Sequence, residues 1–142
     1  VINGSTGEKF PSIAKLGTYM VSKGLHTAPF TRYFGFPKPV TGDSQEVSYE
    51  GWVMIHDKSG MPVIEDKDIN VKTFKGGLYA VIDVPEGMEE DLTPYWTTIH
   101  RWIQENPEYT YDENQYFEEY LTIKGKGNFH GMRLHMPIKK AE

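Results

Sequence analysis

Residues 76–106 read GGLYAVIDVPEGMEEDLTPYWTTIHRWIQEN, and this stretch decides the fold. Gly76-Gly77 marks a turn, and Leu78 to Val84 is a strand-length run of aromatic and β-branched residues, which predicts a buried strand. Pro85-Glu86-Gly87 interrupts it. Leu92, Tyr95, Trp96, Ile99, Trp102 and Ile103 then recur at i, i+3, i+4, i+7, i+10 and i+11, a wide apolar helix face. The helix is expected to begin between Glu89 and Pro94 and to stop at Asn106-Pro107, with Trp102 in the core. The acidic run Glu89-Glu90-Asp91 suits its N-terminus, where the helix dipole favours negative charge.

On the C-terminal side, Tyr116 to Ile123 and Met132 to Ile138 read as two strands around Lys124-Gly-Lys-Gly-Asn128, a hairpin. On the N-terminal side, Ser12 to Lys23 reads as an amphipathic helix, with Ile13, Leu16 and Met20 at helical spacing and Gly24 at the C-cap position. Phe30 to Phe34 reads as a strand closed by the turn Gly35-Phe36-Pro37-Lys38-Pro39. Val47 to Ile55 is a second strand, with Glu50 and Trp52 on one face and Tyr49, Gly51 and Val53 on the other. Residues 56–68 are polar and turn-rich, as a surface loop would be.

The order is strand, helix, strand, strand, written twice. Val1-Ile2-Asn3 before a helix echoes Val81-Ile82-Asp83, and Trp52-Val-Met-Ile55 echoes His135-Met-Pro-Ile138. A duplication of about 80 residues is the simplest reading. The expected fold is therefore α+β: one domain over residues 1–142, with pseudo-repeats at about 1–56 and 70–140. Each repeat is a βαββ unit with an antiparallel sheet, the first strand being short or missing, and a ligand cleft is expected between the halves.

Composition narrows the function. The net charge of −5 argues against direct nucleic-acid binding, which needs a basic face to displace phosphate counterions. Without cysteine, neither a disulfide framework nor thiolate chemistry is available. No apolar run approaches the roughly twenty residues that span a bilayer, so no membrane partner is expected. Val1-Ile2-Asn3-Gly4 has neither the basic nor the apolar region of a signal peptide, and a cytoplasmic location is the default expectation. The five histidines (His26, His56, His100, His130 and His135) are scattered, so no metal site is expected, and no cofactor motif is present. The aromatic share is 13%, which suits a site for a flat molecule as well as a core.

Phe117-Glu118-Glu119-Tyr120-Leu121 resembles the Phe-Glu-x-Tyr motif of the gyrase-inhibitor-like family, also called the bacterial transcription-activator effector-binding domain. Gly76-Gly77-Leu78-Tyr79-Ala80-Val81, Trp96-x-x-Ile99-x-x-Trp102-Ile103 and Leu134-His-Met-Pro-Ile-Lys139 are similar to further motifs of that family in the same order, and Pro29-Phe30-x-x-Tyr33 is a weaker match. The resemblance spans nearly the whole chain. It implies a pseudo-twofold pair of βαββ units with a glutamate in the cleft, which carries over to Glu118. Such domains occur freestanding or fused to DNA-binding modules, so a partner or fused DNA-binding domain is compatible with this chain. Arg133 stands where the family often has an acidic residue.

Strand alternation puts Glu118 on a face with Tyr116 and Tyr120, and Glu119 on the other with Phe117. The two glutamates diverge and are no catalytic dyad; Glu119 is expected in solvent. A carboxylate walled by aromatics is costly to keep ionised, and a bound cation offsets that cost with help from the ring faces. The expected ligand is a small lipophilic, aromatic or cationic molecule bound around Glu118. Candidate walls are Tyr120, Trp96, Trp52 and Tyr33, with Trp96 also a natural core residue. Glu50 shares the face of Trp52 and can reach a cleft, although solvent is its expected environment. Two alternatives stay open: a hydrolase of reactive electrophiles using Glu118 as base with Tyr120 or Trp96 assisting, and a protein-interaction role such as topoisomerase inhibition. The oligomeric state is not readable.

Overall fold

The computed structural model describes residues 2–4, 9–22, 32–39, 47–54, 67, 69–121, 123–124, 128–129 and 131–142. They form an α+β fold of antiparallel sheets and two main helices, in two compact units, Val1–Thr73 and Phe74–Glu142.

The first unit runs β1 (Ile2–Gly4), α1 (Lys9–Ser22), β2 (Tyr33–Pro39) and β3 (Val47–Val53). Both β1 and β2 pair with β3 in antiparallel register, so β3 is central. α1 packs on these strands, with Leu16 and Ile69 buried together against Tyr19 and Val53. The short first strand is three residues long, as expected.

Strand β2 departs from expectation. It spans Tyr33–Pro39 and so continues through Gly35-Phe36-Pro37-Lys38-Pro39, the segment read as a turn, while Phe30 and Thr31 of the expected strand lie outside the described residues. Register supplies the reason. The Met54 amide donates to the Arg32 carbonyl at 2.9 Å, one step outside the Tyr33–Val53 pair. Even-numbered residues of β2 therefore exchange the hydrogen bonds with β3, and Pro37 and Pro39 direct their missing N–H positions away from that ladder. The loop expected over 56–68 lies outside the described residues except at Lys67, a turn residue.

The second unit runs β4 (Tyr79–Val84), α2 (Thr93–Glu105), β5 (Tyr109–Tyr111), β6 (Phe117–Tyr120), β7 (Ile123–Lys124), β8 (Asn128–Phe129) and β9 (Met132–Lys140). β9 is central: β4 and β6 pair along it on opposite sides, and β5 pairs with its end, Tyr109 facing Lys140. The expected hairpin is the β6–β9 pair, and β7 and β8 form a further short pair within the segment between them, whose tip lies outside the described residues. Gly131 follows it with φ of +85°, and a Cβ there would sit 3.4 Å from the Val84 carbonyl oxygen, so this position favours glycine.

β4 is not the buried strand expected. Among the described residues it pairs with β9 alone, and its Val81 and Asp83 side chains are exposed. α2 ends where expected: Asn106 is extended (φ −91°, ψ 119°), as a residue before proline prefers. Ile99 and Ile103 form its buried stripe, but Trp102 is 45% exposed and stacks on Tyr109 at 6.1 Å instead of entering the core. At i+3 from Ile99 it falls at the margin of the stripe, where β5 offers a partner that the helix period alone cannot reveal. The acidic run divides its roles. Asp91 accepts from the Thr93 amide at 3.0 Å beside the helix start, and the Thr93 hydrogen bonds hold its carboxyl below the usual value. Glu89 instead accepts from the Gly87 and Gly131 amides at 2.7 and 2.9 Å, tying the loop after β4 to the start of β9.

Candidate functional site

The faces of the second sheet follow from its register. Val81, Asp83 and Arg133 share a face, and all three are exposed, Arg133 and Asp83 as an ion pair at 2.8 Å. The opposite face carries Val84, Met132, Leu134, Met136 and Ile138, all buried, and α2 lies on it: His100 Nδ1 is 2.7 Å from the hydroxyl of Tyr111, which pairs opposite Ile138. Glu118 lies opposite Leu134, and Tyr120 lies opposite Met132, so both belong to the helix-covered face.

There Glu118 is 6% exposed and its Oε2 accepts from the Tyr120 hydroxyl at 2.9 Å. The bond spans two residues of one strand, as alternation requires. Trp96, on the first turn of α2, meets the ring of Tyr116 edge to face at 5.6 Å and 82°. Tyr116 is one residue before β6 and has the parity of Glu118. Trp96 is half-buried and Tyr116 partly exposed, so this end of the helix face retains accessible aromatic surface beside the strand that carries the carboxylate.

Glu119 corrects an expectation. It is 3% exposed rather than solvated, and its Oε2 lies 3.0 Å from His135 Nε2. His135 is opposite Phe117 and stacks on its ring at 4.4 Å and 15°, with Tyr79 edge-on to both. Phe74 extends the cluster, 5.4 Å from Phe117. A buried carboxylate next to an imidazole and three rings was hidden in the sequence because its partner lies sixteen positions away on another strand. Burial pushes the Tyr79 phenol up from its ordinary value of 10.0, and the charge of Asp112 adds to the shift.

In the first unit, Tyr33 is buried opposite Val53, on the face that α1 covers, and burial raises its phenol above the usual 10.0. Glu50 and Trp52 have the other parity and face away from α1, so Tyr33 is not brought together with them. Glu50 is also not solvated: it is 5% exposed and accepts from Trp52 Nε1 at 2.8 Å and from Lys72 Nζ at 2.9 Å. Among the described residues no three His, Asp or Glu side chains are grouped to hold a metal ion, and no helix is long and apolar enough to cross a membrane.

In each unit a helix packs on antiparallel strands, and carboxylates lie buried beside aromatic rings, which defines an α+β class of protein. The family model of Cass2, the integron-associated effector binding protein, matches residues 4–138, and the chain belongs to that family. It is a gyrase-inhibitor-like effector-binding family, so the resemblance carried by Phe117-Glu118-Glu119-Tyr120 holds. No curated protein and no solved structure matches the chain.

Proposed function

We propose that this protein binds a small hydrophobic, cationic or aromatic molecule as an effector, against the helix-covered face around Glu118. The observation that carries this reading is the buried Glu118 carboxylate, hydrogen-bonded to Tyr120 on the sheet face where Trp96 and Tyr116 leave aromatic surface accessible. A flat cation satisfies such a site twice, by charge against the carboxylate and by its rings against theirs. Membership in an effector-binding family supports binding over turnover. A shared feature of the two units supports a duplicated origin: each opens with a strand followed by a helix, and in each the last strand is central (β1–β3–β2 and β4–β9–β6).

The test is calorimetry and thermal melting with proflavine, a planar cation, and with uncharged acridine as its neutral counterpart. Proflavine is expected to raise Tm as occupancy grows and to bind more tightly than acridine. No stabilisation by either compound sinks the proposal. The Tyr120–Glu118 hydrogen bond favours one second reading, in which Glu118 acts as a base toward water and Tyr120 orients it, opening a strained electrophilic ring. Turnover of an epoxide that disappears in Glu118→Gln selects that reading.

A further inference from the structure

The face of the first sheet that looks away from α1 is lined by aromatic rings and cations. Phe34 faces Trp52 and Phe36 faces Glu50 across the β2–β3 ladder. The rings of Phe36 and Trp52 are 4.7 Å apart, and Trp52 donates its indole N–H to Glu50 Oε2. Lys72 completes the group, with its ammonium 2.9 Å from Glu50 Oε1 and 5.8 Å from the centroid of the Trp52 ring. A buried carboxylate bordered by ring faces is the arrangement that recognises an organic cation, and here the chain supplies the cation itself.

The two members of this pair are held unequally. Glu50 is on the central strand β3, nearly closed to solvent, and its Oε2 is fixed by the indole. The Lys72 side chain is 41% exposed and belongs to residues 69–78, which form neither helix nor strand. A half-exposed ion pair is screened by water and weak, and a lysine stem loses rotamer freedom when it is held. A protonated amine or amidine presents the same N–H donors to Glu50, and its apolar body adds ring contact that a lysine stem does not make.

We infer that Glu50, Trp52 and Phe36 form a second cation-recognition site, that Lys72 is its built-in occupant, and that a protonated aromatic amine or amidine binds there by displacing the Lys72 ammonium. The lysine acts as an internal competitor and sets the affinity threshold of the site. A competitor seated about nine-tenths of the time weakens apparent affinity about tenfold, and its removal restores that factor.

The probes are benzamidine, a planar cation, and benzamide, its neutral isostere, titrated by calorimetry into the full chain. Lys72→Met is expected to bind benzamidine about tenfold more tightly than the unsubstituted protein, with benzamide unchanged. Lys72→Arg keeps the unsubstituted affinity, because the charge is retained. Adding Glu50→Gln to Lys72→Met abolishes the gain, whereas adding Glu118→Gln leaves it intact. That last arm separates this site from the one around Glu118, so either can fail alone. Unchanged or weaker benzamidine binding in Lys72→Met, an equal gain for benzamide, or a gain lost through Glu118→Gln overturns the inference. A readout on the unsubstituted protein guards against misfolding of the variant: saturating benzamidine is expected to increase reductive methylation of Lys72, and unchanged or reduced labelling overturns it.

Discussion

Replacing Glu118 with Gln removes one negative charge while nearly preserving side-chain volume. The Tyr120 hydroxyl, 2.9 Å from Glu118 Oε2, retains a carbonyl oxygen to donate to, so the fold is expected to lose little stability. The effect falls on the ligand. Glu118 is 6% exposed, so a cation that meets it is little screened by solvent. A hydrogen bond to a charged partner contributes about 1.5–3 kcal/mol net. At about 1.4 kcal/mol per decade, proflavine affinity should fall about 10–100-fold. The bare Coulomb term for unit charges at 4 Å is about 4 kcal/mol at an effective dielectric of 20, which bounds the loss from above. Acridine, uncharged at alkaline pH, should change less than about threefold, since only a dipole has been altered. The assay is paired calorimetric titration of both compounds into both proteins, with urea melts showing that the variant is folded. Equal losses for the two compounds refute the charge argument, and no loss for either removes Glu118 from the site.

Leu134 lies fully buried on β9 between β4 and β6, so Leu134→Ala should cost about 2–5 kcal/mol in urea denaturation. A loss under about 0.5 kcal/mol means that this face is not the core. His135→Phe keeps the stacking on Phe117 but takes a donor from the buried Glu119 carboxylate. It should destabilise by about 1–3 kcal/mol, and Glu119→Gln in the same background should recover part of the loss. Tyr33 and Tyr79, both raised by burial, predict alkaline sensitivity. Above their ordinary value of 10.0 the unfolded phenols release protons that the folded ones retain, so stability is full below that pH and falls as pH rises through the folded values. Tyr79→Phe should flatten this loss in melts across the alkaline range, and an unchanged slope counts against a buried phenol.

Local pattern carried much of the fold. The helix of residues 93–105 was legible because its apolar period and its Asn106-Pro107 stop are local properties of the chain. The β6–β9 hairpin and the opposite orientations of Glu118 and Glu119 follow from a period of two, which needs no tertiary partner. Strand, helix, strand, strand could be read twice; the first unit has that order, whereas the second adds β5, β7 and β8, and in both the last strand is central. Matters that depend on what lies across a ladder were not legible. Pro37 and Pro39 signal a turn in isolation, and only register shows that their missing donors are not needed by β3. The strand Tyr109–Tyr111 is too short to stand out without β9 beside it.

The sequence by itself determined the two helices, the longer strands with their alternation, and the effector-binding family to which the chain belongs. Tertiary structure decided environment. It buried Glu50 and Glu119, which a strand pattern leaves in solvent, and gave them Lys72 and His135 as partners twenty-two and sixteen positions away. It also put Tyr33 on the face of its sheet opposite Trp52 and Glu50. The physical reason is that alternation assigns a side chain to a face, whereas burial and charge pairing depend on which distant segment covers that face.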